Sequence, residues 1–347
     1  MELVNVWDYE AAAAELLEPG AFGYFAGGAG DEITLRANVD AYRRWQLRPR
    51  VLVDVAAPST ATTVLGRDIS LPVLVAPVPY QRVAHPDGEV AMARAAAAAG
   101  TIMCVSTLST STPEDVAATG VDRWFQLYVF RDPGLTRELV ERAQASGFAA
   151  LVLTVDTPVL GRRERDVRTG FAIPSDLQVP ALGRRGITPA EGLALMSPSL
   201  SWRDVEAFAT LAKLPVVVKG VVTAEDADLA CEHGAAALVV SNHGGRQLDG
   251  VAPTIDALPE VVDAVGGRIE VLVDGGVRRG TDVAKALALG ARAVLAGRAP
   301  LWGLVVDGEA GALHVLELLR AELSLALQLV GCPRASDLTR AHVQRGG

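Results

Sequence analysis

The segment SNHGGRQLDG, residues 241–250, places a histidine and an arginine where a buried strand is expected to end. The apolar run AAALVV precedes it, which is typical of an interior strand, and the Gly244–Gly245 pair allows a sharp turn. The imidazole of His243 can act as a base near neutral pH, and the guanidinium of Arg246 can hold a carboxylate or a phosphate. A turn with a solvated arginine and a core histidine is the alternative, but the glycines and the strand-end position favour a site.

Eight short apolar runs alternate with alanine-rich helical segments along the chain. This alternation predicts an α/β fold, a closed (β/α)₈ TIM barrel rather than an open doubly wound sheet. The predicted strands cover residues 71–77, 101–106, 123–129, 149–156, 214–220, 235–241, 269–275 and 291–297.

The segments around these strands complete one domain that spans residues 1–347. We interpret residues 1–65 as a helical cap over one end of the barrel and residues 66–347 as the barrel itself. The stretch at about 169–200 contains four prolines and the charged pair Arg184–Arg185. Because long structureless loops inside compact domains are commonly active-site lids, we expect a lid there.

The carboxyl ends of barrel strands carry the chemistry in this fold. After the last two strands, DGG and AGR favour a phosphate-bearing ligand bound by glycine N–H groups, with charge added by Arg278; tight left-handed turns are the alternative. The residues that the predicted strands place at this end are Ala76, Pro77, Ser106, Gln126, Tyr128, Thr154, Asp156, Lys219, Ser241, His243, Asp274, Gly276, Gly297 and Arg298.

The composition excludes several classes of partner. A net charge of -9 opposes binding to nucleic acid, and no apolar run is long enough to predict a membrane span. The three cysteines lie far apart without metal-ligand spacing, so we expect reduced thiols and no metal site. The first residues do not resemble a signal peptide. These features predict a soluble protein of the cytoplasm.

Five ordered motifs span most of the chain: YFAGGAGDE, WFQLYV, VDTPVLGRRERD, SNHGGRQLDG and VDGGVRRGTDVAKALALGA. Together they resemble the FMN-dependent 2-hydroxy-acid oxidase and dehydrogenase family, which includes glycolate oxidase, lactate oxidase and mandelate dehydrogenase. The resemblance implies oxidation of an (S)-2-hydroxy acid to the 2-oxo acid, with a hydride or its equivalent passing to flavin N5. It further implies reoxidation by O₂, which yields hydrogen peroxide, and a homotetramer.

The resemblance also implies roles for individual residues. His243 would be the base, with Asp156 bonded to its other ring nitrogen, and Lys219 would lie beside flavin N1. Tyr128 would bond the substrate hydroxyl. Arg163, Arg246 and the phenol of Tyr24 would hold the substrate carboxylate, although outside the family context Tyr24 is an ordinary packed aromatic and Arg163 a solvated charge. The implied FMN contacts are Ala76, Pro77, Ser106, Gln126, Thr154, Lys219, Ser241, Asp274, Gly276, Arg278, Gly297 and Arg298.

Three departures from the family pattern bear on the substrate. Leu108 stands where glycolate oxidase has a tryptophan, which removes bulk from the pocket wall and favours a larger substrate. Pro79 and Tyr80 replace a small residue and a frequent methionine close to the flavin. We therefore expect an aromatic substrate such as (S)-mandelate or 4-hydroxymandelate.

Other functions stay open from the sequence. A lactate or glycolate type of oxidase, or a mandelate dehydrogenase with an acceptor other than oxygen, would carry the same motifs. A flavin-free isomerase or lyase that binds a sugar phosphate would share the barrel architecture. A barrel that only binds a ligand would leave the convergence of His243, Asp156 and the arginines unexplained.

Overall fold

The N-terminal segment folds into helices as far as Arg44. The computed structural model of the chain describes residues 2–174, 176–183 and 187–346. Its first elements are the helices α1 (Val6–Leu16), α2 (Pro19–Ala26) and α3 (Ile33–Asp40), followed by a 3₁₀ helix (Ala41–Arg44).

Residues 45–65 are not helical, so the prediction of a helical cap over 1–65 is wrong for this stretch. Strand β1 (Trp45–Leu47) pairs antiparallel with residues 343–345 near the C-terminus. Strands β2 (Thr62–Val64) and β3 (Arg67–Ile69) form a hairpin. The two turn residues between them both have positive φ, as a tight hairpin turn requires, and the β-branched run before the turn favours a strand.

Eight parallel strands close into a barrel, as predicted. The last strand pairs with the first, where Leu295 is opposite Leu74, and this pairing completes the ring. Each strand overlaps one of the predicted runs, so the (β/α)₈ prediction is confirmed. The strands are β4 (Val73–Val75), β5 (Ile102–Ser106), β6 (Asp122–Leu127), β7 (Ala150–Thr154), β8 (Val216–Val221), β9 (Ala237–Val240), β10 (Glu270–Asp274) and β11 (Val294–Ala296).

Side chains on these strands alternate between the barrel interior and the surrounding helices. On β6, Trp124 packs in the interior cluster, whereas Phe125 and Leu127 pack in the larger core outside the barrel. Val64 and Ile69 of the β2–β3 hairpin join the interior cluster. The hairpin therefore closes the end of the barrel at which the strands begin and leaves the opposite end open.

Helices surround the barrel, and the last of them is the longest. It is broken at Asp307 and Gly308, whose backbone angles are not helical. Among the described residues, no helix is both long and apolar enough to cross a membrane. After the barrel begins, the helices are α4 (Gly88–Ala98), α5 (Pro113–Ala117), α6 (Pro133–Ala145), α7 (Glu164–Thr169), α8 (Pro180–Gly183), α9 (Pro189–Ala194), α10 (Trp202–Ala212), α11 (Ala224–Glu232), α12 (Thr254–Val265), α13 (Gly280–Ala288) and α14 (Arg298–Val330).

Short elements complete the chain. Three more 3₁₀ helices cover Gln81–Val83, Ala335–Asp337 and Arg340–His342, and strand β12 (Val343–Arg345) pairs with β1. The stretch predicted as a lid contains α8 and α9, and a bridge between Phe130 and Met196 ties it to the barrel. The charged pair Arg184–Arg185 lies outside the described residues.

Candidate active site

The open end of the barrel is lined by a polar layer that continues the inward-facing rows of the strands. Each polar residue stands two positions after an apolar interior residue, as Gln126 does after Trp124 on β6. Residues two apart on a strand point to the same face, so the polar residue also faces inward. The members of this layer are Ser106, Gln126, Thr154, Lys219, Ser241 and Asp274.

A single cavity gathers nearly all the residues that the sequence predicted for the site. Asp156 and Ser241 are the exceptions, and each bonds to a residue that does line the cavity: Asp156 to His243, and Ser241 to Lys219. The predicted residues on the cavity wall are Tyr24, Ala76, Pro77, Ser106, Leu108, Gln126, Tyr128, Thr154, Arg163, Lys219, His243, Arg246, Asp274, Gly276, Arg278, Gly297 and Arg298.

His243 and Asp156 form a buried pair at the ends of β9 and β7. His243 Nδ1 lies 2.8 Å from Asp156 Oδ1. The backbone of His243 has φ +58°, an uncommon conformation for a residue with a side chain, and its N–H donates to Ser241 Oγ at 3.1 Å. Burial lowers the pKa of His243 more than the Asp156 carboxylate raises it, so the imidazole is neutral at pH 7 and able to accept a proton.

Tyr128 faces the other nitrogen of the imidazole. Its hydroxyl lies 3.4 Å from His243 Nε2. Burial, together with the Asp156 carboxylate, raises the pKa of Tyr128 to about 12. The phenol therefore stays protonated near neutral pH and is available as a hydrogen-bond donor to an oxygen in the cavity.

Lys219 carries a buried positive charge in the polar layer. Its Nζ donates to Ser241 Oγ at 2.9 Å and lies 3.0 Å from Asp274 Oδ2. Burial opposes the charged ammonium, but the carboxylates of Asp274 and Asp156 outweigh that effect and raise the pKa of Lys219. The ammonium is thus a permanent cation on the floor of the cavity.

Two arginines meet the carboxyl end of α2. Arg246 Nη1 donates to the carbonyl oxygens of Tyr24 at 2.6 Å and Gly27 at 3.0 Å. Arg298 donates from Nε to the Phe25 carbonyl at 2.9 Å and from Nη2 to the Gly27 carbonyl at 2.8 Å. The carbonyls at a helix end carry partial negative charge. They hold both guanidinium groups without neutralising them.

These guanidinium groups are poorly compensated. Burial and then the charge of Arg163 lower the pKa of Arg246 to about 10, and burial with the charge of Arg246 lowers the pKa of Arg298 well below its ordinary value. Within the described part of the chain, no carboxylate forms an ion pair with Arg163, Arg246 or Arg298. A buried cation without a partner is costly, so this cavity favours an anionic ligand.

The ring of Tyr24 lies close to two of these cations. The guanidinium carbon of Arg246 is 5.0 Å from the ring centroid and that of Arg163 is 5.8 Å from it. Such contacts with an aromatic face stabilise a guanidinium group and fix its plane. Arg163 Nε is buried and lacks a hydrogen-bond partner among the described residues, so it retains a donor for a ligand.

Arg278 lines the cavity beside a glycine turn after β10. Its Nε lies 3.7 Å from Glu10 Oε2 on α1, and its guanidinium carbon lies 5.4 Å from the Trp7 ring. Gly276 has φ +84°, and an added Cβ there would lie 2.1 Å from the Asn38 carbonyl oxygen. Glycine is therefore required at this turn, which brings backbone N–H groups to the cavity.

Residues that the sequence analysis missed form an apolar wall. The cavity that Leu108 lines is also lined by Leu160, Ile173 and Leu193. Leu160 directly precedes the charged run GRRERD, which is typical of a solvated loop. Each of these three residues stands beside other apolar residues in a segment between the predicted strands, where no regular period marks the side chain that meets the cavity. Thr157 was also missed; its hydroxyl contacts both Asp156 and His243.

The cavity has polar groups that suit both the ring and the phosphate of a flavin nucleotide. Gln126 Nε2, Thr154 Oγ1 and Asp274 Oδ1 are buried polar atoms on residues of the cavity wall, and none has a partner among the described residues. Such atoms call for a ligand that offers donors and acceptors in turn, as a flavin ring does. The glycine turn and Arg278 suit its phosphate. These residues fit FMN.

The fold and this site define a barrel enzyme that binds a phosphate-bearing cofactor beside an anionic substrate. Comparison with known proteins supports this class: residues 13–345 match the model of the FMN-dependent dehydrogenase family. The chain belongs to that family, and FMN is its cofactor. The resemblance inferred from the motifs is confirmed.

Three proteins with high similarity to this chain agree with the family assignment. The L-lactate oxidase of Nostoc sp. is 50% identical, over 96% of this chain and 96% of the relative. Glycolate oxidase 3 of Arabidopsis thaliana is 50% identical, over 99% of this chain and 96% of the relative. A crystal structure of mandelate oxidase with benzoyl-formic acid superposes with a TM-score of 0.93 at 45% identity and covers 99% of each chain. All three names are those of FMN-dependent 2-hydroxy-acid oxidases.

Proposed function

We propose that this protein oxidises an aromatic (S)-2-hydroxy acid, such as (S)-mandelate or 4-hydroxymandelate, to the 2-oxo acid, and passes the electrons to O₂ with formation of hydrogen peroxide. One observation carries the proposal: His243 lines a cavity that also contains half-buried arginines without ion-pair partners among the described residues, together with the apolar side chains of Leu108, Leu160, Ile173 and Leu193. The cations suit a carboxylate, and the wall suits an aromatic side chain.

His243 takes the proton from the substrate in this proposal. The neutral imidazole accepts it at Nε2, and Asp156 stabilises the imidazolium through Nδ1, 2.8 Å away. Bound FMN supplies the chemistry that amino acids lack, the acceptance of two electrons from the α-carbon. Tyr128, 3.4 Å from Nε2, donates a hydrogen bond to the oxygen of the hydroxyl group as it becomes a carbonyl.

The remaining groups hold the substrate and cofactor in place. Arg163 and Arg246 bind the substrate carboxylate, with help from the phenol of Tyr24, because neither guanidinium group forms an ion pair with a described carboxylate. Such positioning lowers the barrier by turning a bimolecular encounter into an oriented one. Lys219 places a positive charge near the ring where the reduced flavin is anionic. The polar layer, Arg278 and Arg298 hold the FMN.

A small substrate is the second candidate. The relatives that are 50% identical are a lactate oxidase and a glycolate oxidase, whereas a mandelate oxidase stands among the similar solved structures. Leu108 and the wall formed by Leu160, Ile173 and Leu193 favour the larger, aromatic substrate. Ile173 and Leu193 come from the stretch 169–200, which supports our expectation that this stretch is a lid.

Other expectations from the sequence remain predictions. These are a single domain of cap and barrel over residues 1–347, a homotetrameric assembly, a cytoplasmic location, and the lack of a nucleic-acid or membrane partner. Mass determination in solution tests the assembly.

We expect His243→Ala to retain FMN and to lose reduction of the flavin by (S)-mandelate by about a hundredfold to ten-thousandfold, because the base is removed and the phosphate site is untouched. Anaerobic stopped-flow absorbance of the flavin measures the rate. His233→Ala is the matched control, since His233 bonds to Glu206 on the outside of the barrel. Rapid anaerobic reduction of the His243 variant would refute the assignment of the base.

We expect the unmodified enzyme to have a kcat/KM at least about tenfold higher for (S)-mandelate than for glycolate, because burial of an aromatic ring contributes on the order of 2 kcal/mol. Leu108→Trp should reverse much of this preference by filling the pocket. Leu329→Trp on the exposed side of α14 controls for the added ring and should leave the ratio unchanged. A higher kcat/KM for glycolate in the unmodified enzyme would show that the wall does not select size.

We expect O₂ to reoxidise the reduced enzyme at least as fast as an artificial acceptor does. The buried Lys219 ammonium provides positive charge that stabilises a developing oxygen anion. Mixing of pre-reduced enzyme with dissolved oxygen in a stopped-flow instrument gives the rate. Reoxidation by oxygen far below the turnover with the artificial acceptor would make the enzyme a dehydrogenase.

A further inference from the structure

Thr157 directly follows Asp156, and its hydroxyl meets both members of the histidine–aspartate pair. Thr157 Oγ1 donates to Asp156 Oδ1 at 3.0 Å and lies 3.3 Å from His243 Nδ1. His243 Nδ1 is itself 2.8 Å from the same Asp156 Oδ1. The three atoms form a closed triangle, and Thr157 is only 7% exposed, so bulk water does not compete for these bonds.

The two oxygens of the Asp156 carboxylate have unequal surroundings. Oδ1 accepts from Thr157 and pairs with His243, whereas Oδ2 is buried without a hydrogen-bond partner in the described part of the chain. Strand β8 packs closely behind the carboxylate, because a Cβ added at Gly220 would lie 2.7 Å from Asp156 Cβ. Among the described residues, the side-chain hydrogen bonds of the carboxylate therefore all fall on Oδ1, where the Thr157 hydroxyl and His243 share one acceptor.

We propose that Thr157 is a positioning residue that acts through Asp156: its hydroxyl shares Oδ1 with His243, so that the aspartate aligns the imidazole without converting it to imidazolium before substrate arrives. This inference rests on the proposed role of His243 as the base. The hydrogen bond from the Thr157 hydroxyl stabilises the charged carboxylate, which makes Oδ1 a weaker base and a weaker acceptor for His243 Nδ1. Without the hydroxyl, Asp156 would stabilise the charged imidazolium more strongly.

Apart from Asp156 and His243, no charged or titratable group among the described residues forms a side-chain hydrogen bond with the Thr157 hydroxyl. Lys219 on β8 and Arg163 after β7 both disfavour a positive imidazolium, and the Tyr128 hydroxyl on β6 faces Nε2. Arg298 binds the carbonyl oxygen of Gly244, the next residue. A substitution at Thr157 leaves these four groups in place, so a change in the protonation of His243 reports on the Asp156 contact.

The test is the pH profile of kcat/KM for (S)-mandelate, measured with the FMN-loaded enzyme. The rising limb of this profile follows loss of the His243 proton. Thr157→Val keeps the shape and removes the hydroxyl; we expect its limb to move to higher pH by about half a unit or more. Thr157→Ser keeps the hydroxyl and should restore the limb of the unmodified enzyme. Thr157→Ala gives a second hydroxyl-free variant in case the valine variant does not retain FMN.

Thr210→Val is the matched control, because Thr210 is exposed on α10 and donates to the Glu206 carbonyl away from the site. Hydroxyl-free variants that retain FMN and the original limb would overturn the proposal, as would a serine variant that behaves like the valine variant. These failures are distinct from failure of the proposed function, which would leave His243→Ala able to reduce its flavin.

Discussion

The site depends on half-buried arginines that have no carboxylate partner among the described residues. Arg246 and Arg298 donate to carbonyl oxygens at the end of α2, and these partial negative charges keep the guanidinium groups in place without satisfying them. A carboxylate at the same position would compete with the substrate for the arginines. The carbonyl end of α2 therefore attaches this helix to the open end of the barrel and leaves the guanidinium groups able to bind an anionic ligand.

The barrel determines where the polar groups lie. On β6, the step from Trp124 to Gln126 leads from the apolar interior to the cavity, and the two neighbouring strands make the same step near their carboxyl ends, from Cys104 to Ser106 and from Val152 to Thr154. The alternation of side chains requires this arrangement, since residues two apart face the same way. Lys219 and Asp274 meet as an ion pair because both side chains face inward near the carboxyl ends of their strands.

The barrel and most of its site residues could be predicted from the sequence because each derives from a local pattern. Apolar runs indicate the strands, and the residues at the strand ends indicate the site. Residues 45–65 were mispredicted because their pairing is non-local, with β1 bonded to the C-terminal strand. Leu160 and Ile173 were missed for a related reason. They reach the cavity from the loops around α7, and the path of a loop is set by tertiary contacts that no short-range period records. Thr157 was hidden because its role depends on a distance to His243, far along the chain.

The central claim is that the half-buried arginines of the cavity select a carboxylate on the substrate. The most direct measurement compares anaerobic reduction of the flavin by (S)-mandelate with that by its uncharged amide, which has the same ring and hydroxyl group. We predict that the acid reduces the flavin with an apparent second-order rate constant on the order of a hundredfold larger, because charge-assisted hydrogen bonds to Arg163 and Arg246 are lost with the amide. Equal rate constants for the acid and the amide would contradict the account.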